Sequence, residues 1–162
     1  MIREYSKGDT SKILHIINNA ALKYKGIIPN KCWHDPYMSK QKLINEFSNK
    51  VRMFGYSHNN KLIGVIGVQK VQDVVLIRHA YTLTVHQGKG AGSSLVKYLL
   101  KINQNSRLLV GTWEKATWAI RFYEKFGFFL LSKKQTCKLL KRYWKIPLEQ
   151  IENSVVLELQ NR

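Results

Sequence analysis

The sequence predicts a single domain of the α/β class that spans residues 1–162. Runs typical of β-strands alternate along the chain with runs whose apolar residues recur at helical spacing. The length of 162 residues and the hydrophobic fraction of 44% suit one domain with its own core and are too small for two ordinary domains. The chain contains no internal repeat, no low-complexity segment and no linker that would divide it.

The N-terminal half is predicted to contain a strand, two helices and a β-hairpin. Asp9 or Thr10 can cap the first helix, whose apolar residues recur at helical spacing until Gly26. After a loop that holds two prolines, Ser39 can cap the second helix. The turn sequence His58-Asn59-Asn60-Lys61 joins two apolar runs and favours a hairpin. The predicted ranges are a strand at 2–5, helices at 10–26 and 40–47, and strands at 51–57 and 62–69.

The C-terminal half is predicted to alternate between strand and helix. Residues 74–83 form an apolar run of strand length, and Leu95, Leu99 and Ile102 then recur at helical spacing. Residues 134–144 have the pattern of a basic amphipathic helix. The predicted ranges are strands at 74–83, 107–112, 128–131 and 154–159, and helices at 93–102, 116–126 and 134–144.

A glycine-rich loop, Gln87-Gly88-Lys89-Gly90-Ala91-Gly92, lies between the strand 74–83 and the helix that follows. A helix N-terminus offers unpaired N–H groups and a positive dipole end, and glycine lets a phosphate approach the backbone. A dinucleotide-binding fingerprint is disfavoured because its third glycine would stand at Ser93, and the chain has no Walker A sequence. From Val74 to Trp113 there is no Asp or Glu. The loop therefore predicts a site for a multiply phosphorylated ligand without a bound Mg²⁺.

A second motif, Ala-x-x-Phe-Tyr-x-x-x-Gly-Phe over residues 119–128, follows the glycine loop. Together, the two motifs resemble those of the GNAT N-acetyltransferase family, and the order of elements matches that family over nearly the whole chain, with one extra helix before the last strand. The resemblance implies a mixed, mostly antiparallel sheet of about seven strands, splayed in the middle and flanked by helices on both faces. It also implies acetyl-CoA-dependent transfer of an acetyl group to the primary amine of a small molecule, by direct attack in a ternary complex and without a metal.

The resemblance also implies which residues bind acetyl-CoA. The exposed backbone of the strand before the loop pairs with the pantetheine arm, and the loop holds the pyrophosphate. Tyr123 then acts as the general acid toward the CoA thiolate, since a phenol of pKa about 10 is protonated at neutral pH. Family members often carry an Asn where this chain has Ala116. The implied cofactor-binding residues are Ala80, Tyr81, Thr82, Gln87, Gly88, Lys89, Gly90, Ala91, Gly92, Ala116 and Tyr123.

The general base is less well defined by the resemblance, because the strand position where several members carry a Glu or His is Arg78 here. An arginine cannot accept a proton at physiological pH. Alternation along the strand predicts that His79 points to the face opposite Arg78, which favours a structural role for this histidine. Glu114 follows a strand end that faces the ligand, and we predict it as the second catalytic residue. The remaining candidates are His34 and Asp35.

The acceptor is expected to bind against the loop 26–38, where Trp33 and His34 can form a rim with apolar and polar parts. If Arg78 faces this pocket, it can pair with a carboxylate or phosphate of the acceptor. We therefore predict an amino acid or another zwitterion, and a pocket without carboxylates would disfavour polyamines. Cys32, His34 and Asp35 do not predict a metal site, because no second Cys/His pair completes four ligands.

The net charge of +17, from 27 Lys and Arg against 10 Asp and Glu, is typical of nucleic-acid-binding proteins. The basic residues are scattered along the chain, however, and the same charge would attract the polyanionic CoA. Nucleic acid is therefore the less favoured partner. The alternatives to a small-molecule enzyme are an RNA- or ribosome-binding module of the same fold, and acetylation of a protein N-terminus or lysine.

Compartment and assembly are predicted from simple features of the chain. The N-terminus lacks the apolar core of a signal peptide, and no run approaches the roughly 18 apolar residues needed to span a bilayer. Cys32 and Cys137 form no disulfide framework. We expect a cytoplasmic protein without a membrane partner. The apolar residues 151–159 predict an edge strand that could pair between the subunits of a homodimer.

Overall fold

The structure is a computed structural model that describes residues 1–160. Its seven strands form one sheet in the order β1-β2-β3-β4-β5-β7-β6, in which only β4 and β5 are parallel. The strands are β1 Ile2–Tyr5, β2 Arg52–His58, β3 Lys61–Val71, β4 Val74–Thr82, β5 Arg107–Trp113, β6 Phe129–Leu130 and β7 Ser154–Gln160. The helices are α1 Thr10–Ala21, α2 Lys40–Ser48, α3 Ala91–Ile102, α4 Thr117–Glu124, α5 Lys133–Tyr143 and α6 Leu148–Glu152.

The predicted fold class and order of elements are confirmed, with three local differences. The first helix ends at Ala21 and continues as a 3₁₀ turn, Leu22–Tyr24, instead of reaching Gly26 as α-helix. The strand predicted at 128–131 is only two residues long. The short helix α6 was not predicted, because five residues are too few to show helical periodicity.

The hairpin predicted at His58–Lys61 joins β2 and β3. Asn59 and Asn60 both have positive φ, 49° and 59°. A two-residue turn with positive φ at both positions matches the right-handed twist of the flanking strands, and asparagine tolerates this conformation better than most residues.

Helices cover both faces of the sheet, because the strands are apolar on both sides. On one face, α3 and α4 pack on a core that includes Val75 and Ile77. The opposite face is covered by α1 and α2 at one end and by α5 and α6 at the other. Leu76 faces α5, so successive residues of β4 enter opposite layers, as strand geometry requires.

Two irregularities of β4 create the central opening of the sheet. Pairing between β4 and β5 covers only Val74–Ile77 and Arg107–Val110, and beyond these residues β4 pairs with β3 while β5 pairs with β7. The predicted splay is therefore confirmed. In addition, Arg78 and Tyr81 of β4 pair with Gly67 and Val65 of β3, so that β4 contains one extra residue at a β-bulge.

The bulge corrects the predicted orientation of His79. This residue has φ of 54°, outside the extended region, so the alternation of side chains is interrupted. His79 and Arg78 consequently point to the same side of the sheet, where both side chains contact Glu46 of α2. The expectation that they lie on opposite faces is wrong, because it assumed a regular strand.

The predicted edge strand at 151–159 is also corrected. Strand β7 lies inside the sheet, between β5 and β6, and Ile151 belongs to α6. The edge on this side is β6, whose Phe129 and Leu130 are 50% and 45% exposed. The homodimer itself stays a prediction. None of the helices within residues 1–160 combines the length and the apolarity that crossing a bilayer requires.

Gly67, opposite the bulge, has no room for a side chain. A Cβ at this position would lie 2.8 Å from the carbonyl oxygen of Arg78 and 2.9 Å from the sulfur of the buried Met53. We expect Gly67→Ala to lower the free energy of unfolding by about 1–3 kcal/mol, as is typical of overpacked cores. Denaturant unfolding monitors this change. Gly8→Ala is the control, because its Cβ would meet only the Ser6 hydroxyl oxygen at 3.7 Å, and equal stability of the two variants would contradict the prediction.

Candidate active site

The first cavity has a volume of about 510 Å³ and is lined by Ala80, Tyr81 and Thr82, in the part of β4 that does not pair with β5. It reaches from the end of β4 past the glycine loop to α4. Nine of the eleven residues predicted to bind the cofactor line it: Ala80, Tyr81, Thr82, Gln87, Gly88, Gly90, Ala91, Gly92 and Tyr123.

The glycine loop places free backbone donors at the mouth of this cavity. Gly88 and Gly90 have φ of 74° and 91°, and a Cβ at either residue would meet no atom within 4 Å. Gly90 is the N-cap of α3, so the first N–H groups of that helix have no acceptor within the helix. The Gln87 side chain donates to the carbonyl oxygen of Thr82 over 3.1 Å and ties the loop to β4. The arrangement suits a phosphate group approaching the helix N-terminus.

Tyr123 lies at the inner end of the first cavity and is 5% exposed. Its ring packs edge-on against Phe122 and Phe128, with ring centroids 5.2 Å and 5.6 Å away. Burial, assisted by the nearby Tyr24, raises the pKa of Tyr123 well above the usual value for tyrosine. The hydroxyl therefore remains protonated at physiological pH and can donate a hydrogen bond or a proton.

The second cavity has a volume of about 490 Å³. Tyr24 and Tyr81 line both cavities, and Tyr37 lines only the second. The hydroxyl of Tyr81 forms hydrogen bonds with those of Tyr24 and Tyr37, and the indole N–H of Trp113 donates to Tyr37 over 3.0 Å. We call Tyr24, Tyr37 and Tyr81 the tyrosine wall. Burial raises the pKa of all three, that of Tyr24 to about 12, so the wall is uncharged.

A polar cluster formed by Glu46, Arg78 and His79 lines the second cavity. The Glu46 carboxylate lies 2.7 Å from Nε2 of His79 and 3.2 Å from Nη2 of Arg78. Burial alone would raise the pKa of Glu46, but the hydrogen bond with His79 and the charges of Arg78 and Lys42 outweigh it and hold this pKa below its usual value. Glu46 is therefore an ionised carboxylate at neutral pH.

A sequence profile described as "Acetyltransferase (GNAT) family" matches residues 16–128, well over half of the chain. This protein belongs to the GNAT acetyltransferase family. The predicted resemblance and the predicted enzyme class, an acyltransferase, are thereby confirmed. No curated protein sequence matches the chain significantly.

Solved structures of the same fold extend the comparison. The PaiA N-acetyltransferase of Thermoplasma acidophilum, crystallised with coenzyme A, matches with a TM-score of 0.74 and 18% identity, covering 99% of this chain and 98% of the other. The ribosomal-protein-S18-alanine N-acetyltransferase of Escherichia coli matches with a TM-score of 0.71 and 16% identity, covering 99% of this chain and 93% of the other. YncA of Salmonella typhimurium, a putative acetyltransferase bound to acetyl-CoA, matches with a TM-score of 0.67 and 17% identity, covering 100% of this chain and 94% of the other. Coenzyme A or acetyl-CoA in two of these neighbours agrees with the predicted cosubstrate.

Two residues predicted to bind the cofactor do not line the first cavity of this GNAT enzyme. The Lys89 ammonium donates to the carbonyl oxygen of Val85 over 3.1 Å. Ala116 is fully buried and packs in a small core with Ile28 and Trp113. Position 116 therefore contributes to packing below α4.

The predicted catalytic and acceptor-binding residues are divided between the second cavity and its surroundings. His34 and Arg78 line this cavity. Trp33 does not line it, but stacks on Tyr37 with the ring centroids 5.8 Å apart. Glu114 lines neither cavity; its side chain is 37% exposed, and its carboxylate is 4.0 Å from the Lys133 ammonium. The expectation that Glu114 faces the ligand is not met, because the chain turns away after β5.

Sequence reasoning missed Glu46, which lies 33 residues before its partner His79. One signal was present. Glu46 is the single acidic residue of α2 and follows the fully buried Leu43 by three positions, so it lies on the buried side of that helix. A carboxylate at such a position needs a partner.

The acceptor side also differs in charge from the prediction. Two carboxylates, Glu46 and Glu149, line the second cavity, so the expectation of a pocket without carboxylates is wrong. Four cationic side chains line this cavity as well: Lys31, Lys42, Arg78 and Lys145. With the histidines counted as neutral, the lining therefore has two more positive than negative charges. Within residues 1–160, no three His, Cys, Asp or Glu side chains are grouped to hold a metal ion.

We expect Gly90→Ala to weaken binding of coenzyme A about tenfold. Holding a non-glycine residue in the left-handed backbone conformation costs roughly 1–2 kcal/mol of free energy, which corresponds to about a tenfold change in affinity. Alanine would relax the loop and place a methyl group in the open space at the start of α3. Gly26→Ala is the matched control, because Gly26 also has positive φ, 77°, with no atom within 4 Å of a Cβ, but lines neither cavity. Titration calorimetry measures both affinities, and equal weakening in the two variants would contradict a role of the loop in binding.

Proposed function

We propose that this GNAT enzyme transfers the acetyl group of acetyl-CoA to the primary amine of a small molecule that also carries an anionic group. The observation that carries the proposal is that the two cavities share lining residues: Tyr24 and Tyr81 line both of them. A donor in one cavity and an acceptor in the other would meet at this wall, as direct transfer in a ternary complex requires.

The first cavity is proposed as the acetyl-CoA site. The backbone of Ala80–Thr82 has no β5 partner on one side and is therefore available to the amide groups of pantetheine. The pyrophosphate would lie at the glycine loop, where α3 begins. Two solved structures of the same fold support this proposal, since the PaiA N-acetyltransferase contains coenzyme A and YncA contains acetyl-CoA.

The second cavity is proposed as the acceptor site. Its volume of about 490 Å³ lies within the usual range for small-molecule sites, roughly 300–1,000 Å³. Arg78 is already engaged, because it pairs with Glu46 and donates to Gln69 over 2.9 Å. Three exposed lysines at the rim, Lys31, Lys42 and Lys145, have no ion pair within residues 1–160. They are the better partners for an acceptor carboxylate or phosphate.

In the proposed reaction, the amine nitrogen attacks the thioester carbonyl carbon, the new C–N bond forms, and the nitrogen loses one proton to a base. The C–S bond then breaks, and its electron pair leaves on sulfur. Tyr123 donates its hydroxyl proton to this sulfur, so that CoA leaves as a neutral thiol. The protonated state of Tyr123, which burial maintains, suits this role.

A second candidate function is supported by the outer surface of α5. Residues 131–148 contain no acidic side chain, and six exposed cations follow one another there: Lys133, Lys134, Lys138, Lys141, Arg142 and Lys145. This surface suits an anionic macromolecule such as RNA, and the fold neighbour that acts on ribosomal protein S18 makes a protein acceptor the corresponding alternative. If RNA binds through these cations, the logarithm of its binding constant should fall steeply and linearly with the logarithm of the salt concentration.

We expect α-amino acids to be acetylated faster than polyamines or aminoglycosides. Removing the anion should lower kcat/KM about fivefold, as for a single ion pair near the surface. Matched pairs, an amino acid and its amide, test this in an assay of CoA thiol release. Preference for polyamines, or equal rates for acids and amides, would contradict the proposed acceptor class.

We expect Tyr123→Phe to lower kcat about 100-fold with little change in KM for acetyl-CoA, because it removes the proton donor and keeps the ring. Steady-state kinetics gives both parameters. Tyr98→Phe is the matched control, since Tyr98 packs on Phe54 and lines neither cavity. Unchanged kcat in Tyr123→Phe would exclude the hydroxyl as the general acid.

A further inference from the structure

We propose that His79 is the general base of the acetyl transfer and that Glu46 positions it. The proposal rests on the function proposed above, because it assigns a residue to the deprotonation of the acceptor amine. Neither Arg78, which cannot accept a proton, nor Glu114, which lines neither cavity, can serve there. His79 lines the second cavity, and Tyr81, two residues further along β4, lines both cavities.

The bulge in β4 is what brings the imidazole to the acceptor side. Because His79 has φ of 54°, its side chain projects toward α2, where Glu46 receives it. A residue with a branched or bulky side chain rarely adopts positive φ, and histidine is among the residues that do so more often. Such a conformation is retained only where the surroundings hold it, and positions of this kind are frequent at functional sites.

The contact with Glu46 selects one form of the imidazole. Nε2 lies 2.7 Å from the ionised carboxylate, so the proton of neutral His79 resides on Nε2, which donates to Glu46. The other ring nitrogen, Nδ1, then carries the lone pair. It forms no hydrogen bond with any residue in the range 1–160 and is available to an amine or a water in the cavity.

Arg78 also holds the carboxylate in place and contacts the same oxygen as His79. Its Nη2 is 3.2 Å from Glu46 Oε2, and its Nη1 donates to the Gln69 side chain over 2.9 Å. Gln69 in turn donates to the carbonyl oxygen of Asn49 over 2.9 Å, just after α2. Glu46 is thereby fixed as an anion that accepts from His79, and the arrangement of base and orienting carboxylate follows the logic known from other catalytic triads.

The proton balance of the step is complete. As the C–N bond forms, Nδ1 of His79 takes a proton from the amine nitrogen, and the resulting imidazolium is stabilised by Glu46. The C–S electron pair leaves on sulfur, which takes the proton of Tyr123. The products are the amide and the CoA thiol, and exchange with water returns one proton from His79 to solvent and one from solvent to Tyr123.

His79 shares its surroundings with several titratable or charged groups, so the base must be assigned with variants and a pH profile together. The titratable or charged groups that line the same cavity come from five parts of the chain: Lys31, Cys32 and His34 from the loop before α2, Lys42 and Glu46 from α2, Arg78 from β4, Lys145 and Glu149 from the segment that leads into α6 and from α6 itself, and the hydroxyls of Tyr24, Tyr37 and Tyr81.

The first test compares the parent enzyme with His79→Gln, using acetyl-CoA and the fastest α-amino acid of the acceptor panel. We expect kcat to fall about 100-fold or more, with KM for acetyl-CoA and the calorimetric affinity for coenzyme A unchanged. The deficit should shrink as pH rises, because hydroxide from solvent can then take the amine proton in place of His79. His58→Gln is the matched control, since His58 is exposed and lines neither cavity. Its kinetics should equal those of the parent.

The second test separates positioning from base chemistry. Glu46→Gln should lower kcat about 10- to 100-fold, as does removal of partners that orient a functional histidine. The double variant Glu46→Gln/His79→Gln should be no slower than His79→Gln alone, because Glu46 acts through His79. Added imidazole should restore part of the activity of His79→Ala but none of that lost in Tyr123→Phe.

The outcomes distinguish the two proposals. If the parent enzyme turns over and His79→Gln keeps its kcat and pH profile, the base is assigned wrongly and the acetyltransferase function stands. Strictly additive losses in the double variant would overturn the positioning role of Glu46. If the parent binds coenzyme A but acetylates none of the acceptors at any pH, both the acceptor proposal and the base fail together.

Discussion

The separation of β4 from β5 is the constraint on which the rest of the site depends. The two parallel strands are paired only up to Ile77 and Val110, and β4 then takes one extra residue at the bulge. Residues of β4 beyond its pairing with β5 line both cavities, and Tyr81 is common to the two. If the strands remained paired, the backbone of residues 80–82 would form hydrogen bonds within the sheet and would not be available to a ligand.

Burial has opposite consequences on the two sides of the tyrosine wall. Tyr123 and the wall residues are desolvated without a compensating cation, so their pKa values rise and they stay neutral. Glu46 is also desolvated, but Arg78 and His79 compensate, and its pKa falls. Tyr123, a neutral proton donor, therefore lies on the side of the proposed thiol, and the ionised Glu46 lies on the side of the proposed amine. This division matches a reaction that protonates sulfur and deprotonates nitrogen.

The cofactor side could be predicted from the sequence, whereas the acceptor side could not. Residues 80–82 and 87–92 are close in the chain, and the glycines fix their backbone locally, so nine of eleven predicted residues line one cavity. Lys89 is an exception because a flexible side chain on an exposed loop can return to the backbone of Val85. On the acceptor side, Glu46 and His79 are brought together across 33 residues. Sequence alternation predicts the wrong face for His79 because it does not reveal an inserted strand residue.

The sequence by itself determined the order of strands and helices, the Asn59–Asn60 hairpin and the phosphate-type loop, because periodicity and turn chemistry act over a few neighbouring residues. Only the tertiary structure decided that Arg78 belongs to an ion pair, that Glu114 lies outside the cavities and that β7 is interior. These features depend on which distant segments meet and how strands register. Such contacts are set by the packing of the whole domain and leave no periodic trace in the chain.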